Sequence, residues 1–413
     1  MLEKKWMALV LTLALALAAC EGNLAPGGGD GGGGGDEGTS PTFTLSLNLT
    51  SLTIVPEDSG QTTLTLTPRN GFTGTVSLSL LGAPDGVTLS PTSVSVMGSN
   101  RVNQTLNLSV GAAVASSTYT LTLQATAGSL TKTVSLTLSV TPPAGTTWTL
   151  RDSGTSIGFN NVAYGNGLFV AVGLGGALLT SPNGTNWTGQ FSGTSDALFG
   201  FAYGNGLFVA VGGYGAIVTS SDGRIWIPRA SRKTYHLWGV TYGNGLFVAV
   251  GDSGTILTSS DGVNWTAQTS GTSSSLFDIT YSNGLFVAVG NGASLTSSDG
   301  VHWTVQPTMN NLQGLTYGNG LFVAVGGGGT IFTSSNATSW TAQTPGTDKN
   351  LLGVAYGNGL FVAVGDSGTI LTSSDGVNWT AQTSGTYYSL QGVAYGNNRF
   401  VVVGPVGTII TSP

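Results

Sequence analysis

From residue 142 onward the chain holds ten Asp, five Arg, two Lys and two His (His236 and His302), and neither Glu nor Cys. Paired carboxylates could hydrolyse a glycosidic bond if held roughly 5–10 Å apart. Asp222, Asp261, Asp299 and Asp375, however, each stand directly before Gly in a turn pattern, which leaves few for such a pair. The two His offer neither a metal cluster nor a nucleophilic triad with Cys. The expectation is therefore no catalytic residue, no metal site and no cofactor. Binding chemistry is better represented. Residues 228–236 (PRASRKTYH) gather Arg229, Arg232 and Lys233, three of the seven basic residues after 142, beside Tyr235 and His236. That composition suits docking of an anionic partner or glycan, and better still a merely solvated loop. Tyr387 and Tyr388, with Asp348 and Lys349, fall in equivalent loops and fit the same surface or sugar stacking.

The framework that must position these residues is glycine-rich and poorly charged. The 413 residues include 66 Gly, roughly twice the usual share, and charged residues make up 7% against about 25% in an average domain. Coiled coils and charged disordered tails are excluded, and Gly does not fall at every third position as collagen requires. A net charge of −6 argues against a nucleic-acid partner, because phosphate binding needs clustered Lys and Arg.

The N-terminus reads as an address. Lys4 and Lys5 precede an apolar run from Trp6 to Ala19, too short for a comfortable bilayer span and suited to a signal-peptide core. The run ends Leu17-Ala18-Ala19-Cys20, which resembles the bacterial lipobox. That resemblance implies a signal peptide over 1–19 and acyl chains on Cys20, the single Cys of the chain, anchoring it to a membrane. It further implies a bacterial cell-envelope location, at the outer membrane or cell surface, facing periplasm or exterior. Residues 20–42 then form a lipidated Cys and Gly-rich tether with a reach of roughly 25 Å.

Residues 43–141 alternate polar and apolar side chains, as in Thr63-Leu64-Thr65-Leu66-Thr67 and Val134-Ser135-Leu136-Thr137-Leu138. Period two predicts half-buried strands, six or seven of them, in a two-sheet sandwich. The stretch 82–91 (GAPDGVTLSP) resembles modules of the immunoglobulin-like group. Pro142-Pro143 marks a boundary. Beyond it Tyr recurs at 164, 203, 242, 281, 317, 356 and 395, and Trp at 148, 187, 226, 265, 303, 340 and 379. Asn-Gly and Asp-Gly pairs within each unit call for hairpins, so each unit predicts a four-stranded antiparallel sheet. The segment opens on a lone fourth strand around Trp148 and closes after a third strand around Ile409. The predicted fold class is thus all-β: a β-sandwich followed by a seven-bladed β-propeller over 142–413, closed by pairing of its N-terminal strand with the last blade.

Ser260-Asp261-Gly262-Val263-Asn264-Trp265 and its copies near Trp226, Trp303 and Trp379 resemble the Asp-box of sialidase-like propellers, with Asp and Gly adjacent where the usual box separates them. The resemblance implies a structural role, Asp capping a turn and Trp packing between blades. It does not carry sialidase activity, which uses three Arg, a Tyr/Glu pair and an Asp, and this region has no Glu. The repeats are also similar to those of the lumenal propeller that assists photosystem II assembly. Together these imply a non-catalytic envelope lipoprotein whose propeller face binds a macromolecular partner, an envelope protein or glycan, as scaffold or assembly factor. The alternatives are a carbohydrate-binding surface protein, a surface spacer or adhesin, and, least of all, a glycoside hydrolase.

Overall fold

A computed structural model describes residues 40–143, 145–231, 234–306 and 311–413. The segment expected to be a signal peptide, Cys20 and nearly all of the expected tether lie outside the described residues, as do Arg232 and Lys233.

Residues 42–140 form two sheets. One orders Thr42–Leu47, Ser59–Arg69, Val102–Val110 and Val87–Ser90; the other orders Ser51–Ile54, Leu130–Val140, Ser117–Ala127, Gly74–Leu81 and Ser93–Val96. Alternation does what period two requires. Leu64, Leu66 and Leu106 of one sheet share a buried cluster with Val76, Leu78 and Leu123 of the other. The strands number nine rather than six or seven, because Ser51–Ile54, Val87–Ser90 and Ser93–Val96 are four-residue edge segments too short to show a period.

Beyond 148 the chain builds seven small antiparallel sheets of four strands. The third is typical: Leu237–Gly243, Leu246–Gly251, Ile256–Ser259 and Thr266–Gln268, paired in chain order. Its first hairpin turns at Asn244 and Gly245, both at positive φ (47° and 78°), the geometry that Asn-Gly accepts most readily. The second strand, Leu-Phe-Val-Ala-Val-Gly, is apolar without alternation for a packing reason. Phe247 and Ala249 pack towards Ala202 and Val209 of the preceding sheet, whereas Val248 and Val250 pack towards Leu276, Phe286 and Ala288 of the next. A strand covered on both faces has no polar side to show.

Gly251 ends that strand against the carbonyl oxygen of His236, which accepts a hydrogen bond from Asp252 N (3.0 Å); a Cβ on Gly251 would overlap that oxygen. Gly245, by contrast, has open space around it. Gly251→Ala is therefore expected to cost about 3 kcal/mol of unfolding free energy through overpacking. Gly245→Ala should cost about 1 kcal/mol, the penalty for a left-handed residue. Urea denaturation of the two variants checks the contrast.

The recurring Asp-Gly turns are closed by three side chains. Asp261 Oδ1 accepts the backbone N–H groups of Val263 (2.9 Å) and Asn264 (2.8 Å), and Trp265 Nε1 donates to Gly262 O (3.0 Å). The third member is Ser259, two residues before the Asp, whose hydroxyl donates to Asp261 Oδ1 (2.9 Å). Ser220, Ser297 and Ser373 do the same for Asp222, Asp299 and Asp375. The serine adjacent to Asp, which the sequence pattern makes prominent, is not the one that closes the turn. Each Trp also lies between sheets: Trp226 joins Phe201 and Phe208 of its own sheet to Val170 and Val172 of the one before.

The two ends of this region meet. Thr149–Arg151 pairs antiparallel with Ile409–Ser412, with Leu150 opposite Ile410, completing the sheet that contains Gly392–Gly396 and Arg399–Val403. One contact repeats the turn geometry across 267 residues of chain: Gly145 N donates to Ser412 Oγ (2.7 Å), as Gly223 N does to Ser220 Oγ (2.9 Å). Trp148 Nε1 donates to Gly145 O (3.0 Å), and the Trp148 ring packs on Phe400 at 6.3 Å.

Candidate functional site

In the first six sheets, the first strand carries a bulge where its register with the second strand slips by one residue. The slipped residues are Asn160, Phe199, Trp238, Phe277, Gln313 and Leu352; Gln391 holds the matching place in the seventh. A bulge re-aims a side chain away from the pleat. All seven of these residues line one cavity of about 250 Å³, contributed to by the first strands of all seven sheets. The position four residues before the recurring Tyr is thus both the structural exception in each sheet and the place where the repeat stops repeating.

The lining divides by chemistry. Phe199, Trp238 and Phe277, from consecutive sheets, form an aromatic wall: Phe199 stacks on Trp238 (centroids 4.4 Å apart, planes at 28°), and Phe277 meets Trp238 edge-on at 6.0 Å. Trp238 is held by its Nε1, which donates to Asp252 Oδ1 (2.7 Å), and Asp252 also accepts from Ser275 Oγ (3.1 Å). The amides of Gln313, Gln391 and Asn160 occupy the other side. Asn160 is steadied by donation from Nδ2 to Leu198 O (2.9 Å).

One charge lies in this lining. The residue after the bulge is Gly in five sheets, Asn161 in the first and Asp278 in the fourth. Asp278 Oδ1 accepts from Ile279 N (2.8 Å), and its Oδ2 accepts from Leu315 N of the fifth sheet (2.8 Å). Burial outweighs these two hydrogen bonds and pushes its pKa up to about 7. The turn carboxylates behave oppositely. Backbone N–H donors hold Asp261 and Asp375 well below the usual range, and the His302 side chain leads the same effect at Asp299.

The residues singled out from the sequence scatter. Arg229 belongs to the strand Ile227–Ala230 and not to the following loop. Its Nε donates to Thr219 Oγ1 (2.9 Å), the same strut that Gln268 makes to Thr258 and Arg151 to Thr411. His236 is half-buried beside the aromatic wall, its Nδ1 accepting from Tyr214 N (3.2 Å) and its ring 5.5 Å from Trp238. Tyr235 is 51% exposed, Tyr388 50% and Tyr387 95%. Tyr235 precedes the third sheet, whereas Tyr387 and Tyr388 precede the seventh. Of the basic residues in 228–236 only Arg229 is among the described residues. Among the described residues no three of His, Cys, Asp and Glu come together as a metal site would need.

No family model matches this sequence, and no curated protein matches it. Some solved structures align with part of the chain at low identity. The computationally designed Ika8 protein is 12% identical, with a TM-score of 0.48 over 73% of this chain and 94% of its own. Sqt1 of Saccharomyces cerevisiae is 9% identical, with a TM-score of 0.46 over 72% and 92%. BBS1N, solved in complex with ARL6DN, is 11% identical, with a TM-score of 0.48 over 64% and 96%. Likeness at this level says nothing of what the chain binds.

Proposed function

We propose that the chain is a non-catalytic binding protein of the bacterial cell envelope, lipid-anchored through Cys20, whose seven repeats close into a propeller that binds a macromolecular partner at one end. The shared seventh sheet supports closure, since Ser412, Gly145 and Trp148 rebuild across the chain ends the turn that each contiguous repeat builds locally. The observation that carries the binding reading is where the repeats differ. Apolar second strands and Ser/Trp turns are nearly constant, whereas the bulged residues and the loops just before the first strands vary, with Tyr235, Tyr387 and Tyr388 exposed there. Framework positions repeat because every sheet has the same packing task; a binding face needs unlike residues. Fold alone decides none of this.

The exposed tyrosines also favour a second reading, a carbohydrate-binding surface protein, since an aromatic face stacks on a sugar ring. Chemical cross-linking on intact cells separates the two. With Tyr235, Tyr387 and Tyr388 all changed to Ala, the cross-linked partner is expected to fall at least ~10-fold while membrane retention is unchanged; hot-spot aromatics carry this much. Unaltered cross-linking would remove this face from the account, and binding to a glycan array with the same tyrosine dependence would replace the scaffold reading by the lectin one. Cys20→Ser should release the protein from the membrane fraction.

A further inference from the structure

The cavity behind that face combines three features that a scaffold has no need of. It has a wall of three aromatic rings. It also has a single carboxylate, placed where five of the seven sheets keep Gly. Among the described residues its lining holds no Lys, Arg or His, so none of them supplies the carboxylate with a counter-charge within the cavity.

We propose that this cavity is a binding site for a small organic ammonium ion, with Asp278 as its counter-charge and Trp238 and Phe277 as its aromatic wall. The proposal deepens the reading of this end as a binding face by naming a ligand class for the cavity. The partner cross-linking above does not depend on it.

The chemistry favours a cation over the other candidates. An anion would meet a carboxylate and, among the described lining residues, no positive group. A neutral sugar ring would be served by Asn as well as by Asp, and Asn161 shows that the repeat can place an amide at this position, its Oδ1 accepting from Val162 N (2.7 Å). A partly buried carboxylate in its ionised form carries a desolvation penalty that a partner charge offsets directly. Aromatic faces attract cations through their quadrupole, most strongly for Trp and most strongly away from water. Size agrees: at about 250 Å³ the cavity lies below the roughly 300–1,000 Å³ of sites for drug-sized ligands, so it takes a compact head group rather than a polymer. Both Asp278 oxygens already accept backbone N–H groups, which fixes the carboxylate in place. Trp238 is likewise fixed through Asp252. The site is preorganised.

Structural stapling of the fourth sheet to the fifth is the competing role for Asp278, and the test separates the two. Choline and its uncharged carbon isostere, 3,3-dimethyl-1-butanol, are titrated into the intact protein at pH 8, with binding followed by tryptophan fluorescence and ligand-observed NMR. Choline is expected to bind at least ~10-fold more tightly than the isostere. Asp278→Asn and Trp238→Ala should each weaken choline about 10-fold, and Trp238→Phe should retain most of the affinity. Near-UV circular dichroism checks the fold of each variant, and the choline–isostere comparison on the unaltered protein stands even if a variant fails to fold. Equal binding of choline and the isostere, absence of choline binding at 50-fold above ~1 mM, or choline affinity unchanged in folded Asp278→Asn would overturn the proposal. Tighter binding of methyl β-glucoside than of choline would overturn it in favour of a neutral sugar.

Discussion

Deleting residues 145–151 should abolish cooperative unfolding of the repeat region. The deletion removes the Thr149–Arg151 strand, exposes the ladder edge at Ile409, Ile410 and Thr411, and takes Trp148 off Phe400. Loss of a packed Trp alone costs about 3–5 kcal/mol, against a typical total of about 5–15 kcal/mol for a domain. The edge then left open is an aggregation template. A finer version compares single substitutions. Trp148→Ala should destabilise as much as Trp265→Ala, because both rings sit in the same kind of turn, one formed across the chain ends and one locally. In a row of sheets without the terminal pairing, Trp148→Ala would be nearly silent. Denaturant titration followed by near-UV circular dichroism reads both.

The second large effect is electrostatic. Asp278 has its pKa pushed up by burial from the ordinary carboxylate range to about 7 in the fold. The folded state therefore holds that proton more tightly than the unfolded state does. Its stabilising contribution is complete below about pH 4 and is lost as pH rises through 7. Asp278→Asn cannot lose the proton, so the difference in unfolding free energy between variant and parent should move in the variant's favour by on the order of 3 kcal/mol between pH 4 and pH 8. The comparison must be made as a difference, because Asp222, Asp261, Asp299 and Asp375 have lowered pKa values and work in the opposite sense. Their contribution is present above pH 4 and disappears as acid protonates them. A parent–variant gap independent of pH would mean that Asp278 is well solvated, and the cavity would lose its buried charge.

Much of the architecture was readable because its signals are periodic. Asn244-Gly245 dictates a hairpin, and spacings of 39 residues place the same hairpin again and again. Edge strands of four residues in the sandwich-like part escaped because two turns of alternation cannot be told from chance. The turn serines escaped for another reason: Ser259 and Ser260 are neighbours of the same type, and only the backbone path decides which hydroxyl reaches Asp261.

The cavity was hidden by the very regularity that revealed the fold. Attention to recurring residues passes over the column that does not recur, which runs from amides (Asn160, Gln313, Gln391) through aromatics (Phe199, Trp238, Phe277) to Leu352. Their common property is a bulge, a backbone feature with no residue signature here. The available signal was the variability itself, together with Asp278 standing where other repeats keep Gly. Composition places Arg229 with the basic residues of 228–236, whereas its position in the repeat is that of Gln268, a side chain that braces a neighbouring Thr.

Amide hydrogen exchange on the intact protein tests the closed seven-sheet arrangement most directly. Closure predicts that the hydrogen-bonded amides of Thr149–Arg151 exchange as slowly as those of Thr266–Gln268, and that protection of 145–151 and of Ile409–Ser412 is lost together as denaturant is added. Exchange of 145–151 at the rate of an unstructured peptide, with the local fourth strands still protected, would contradict it.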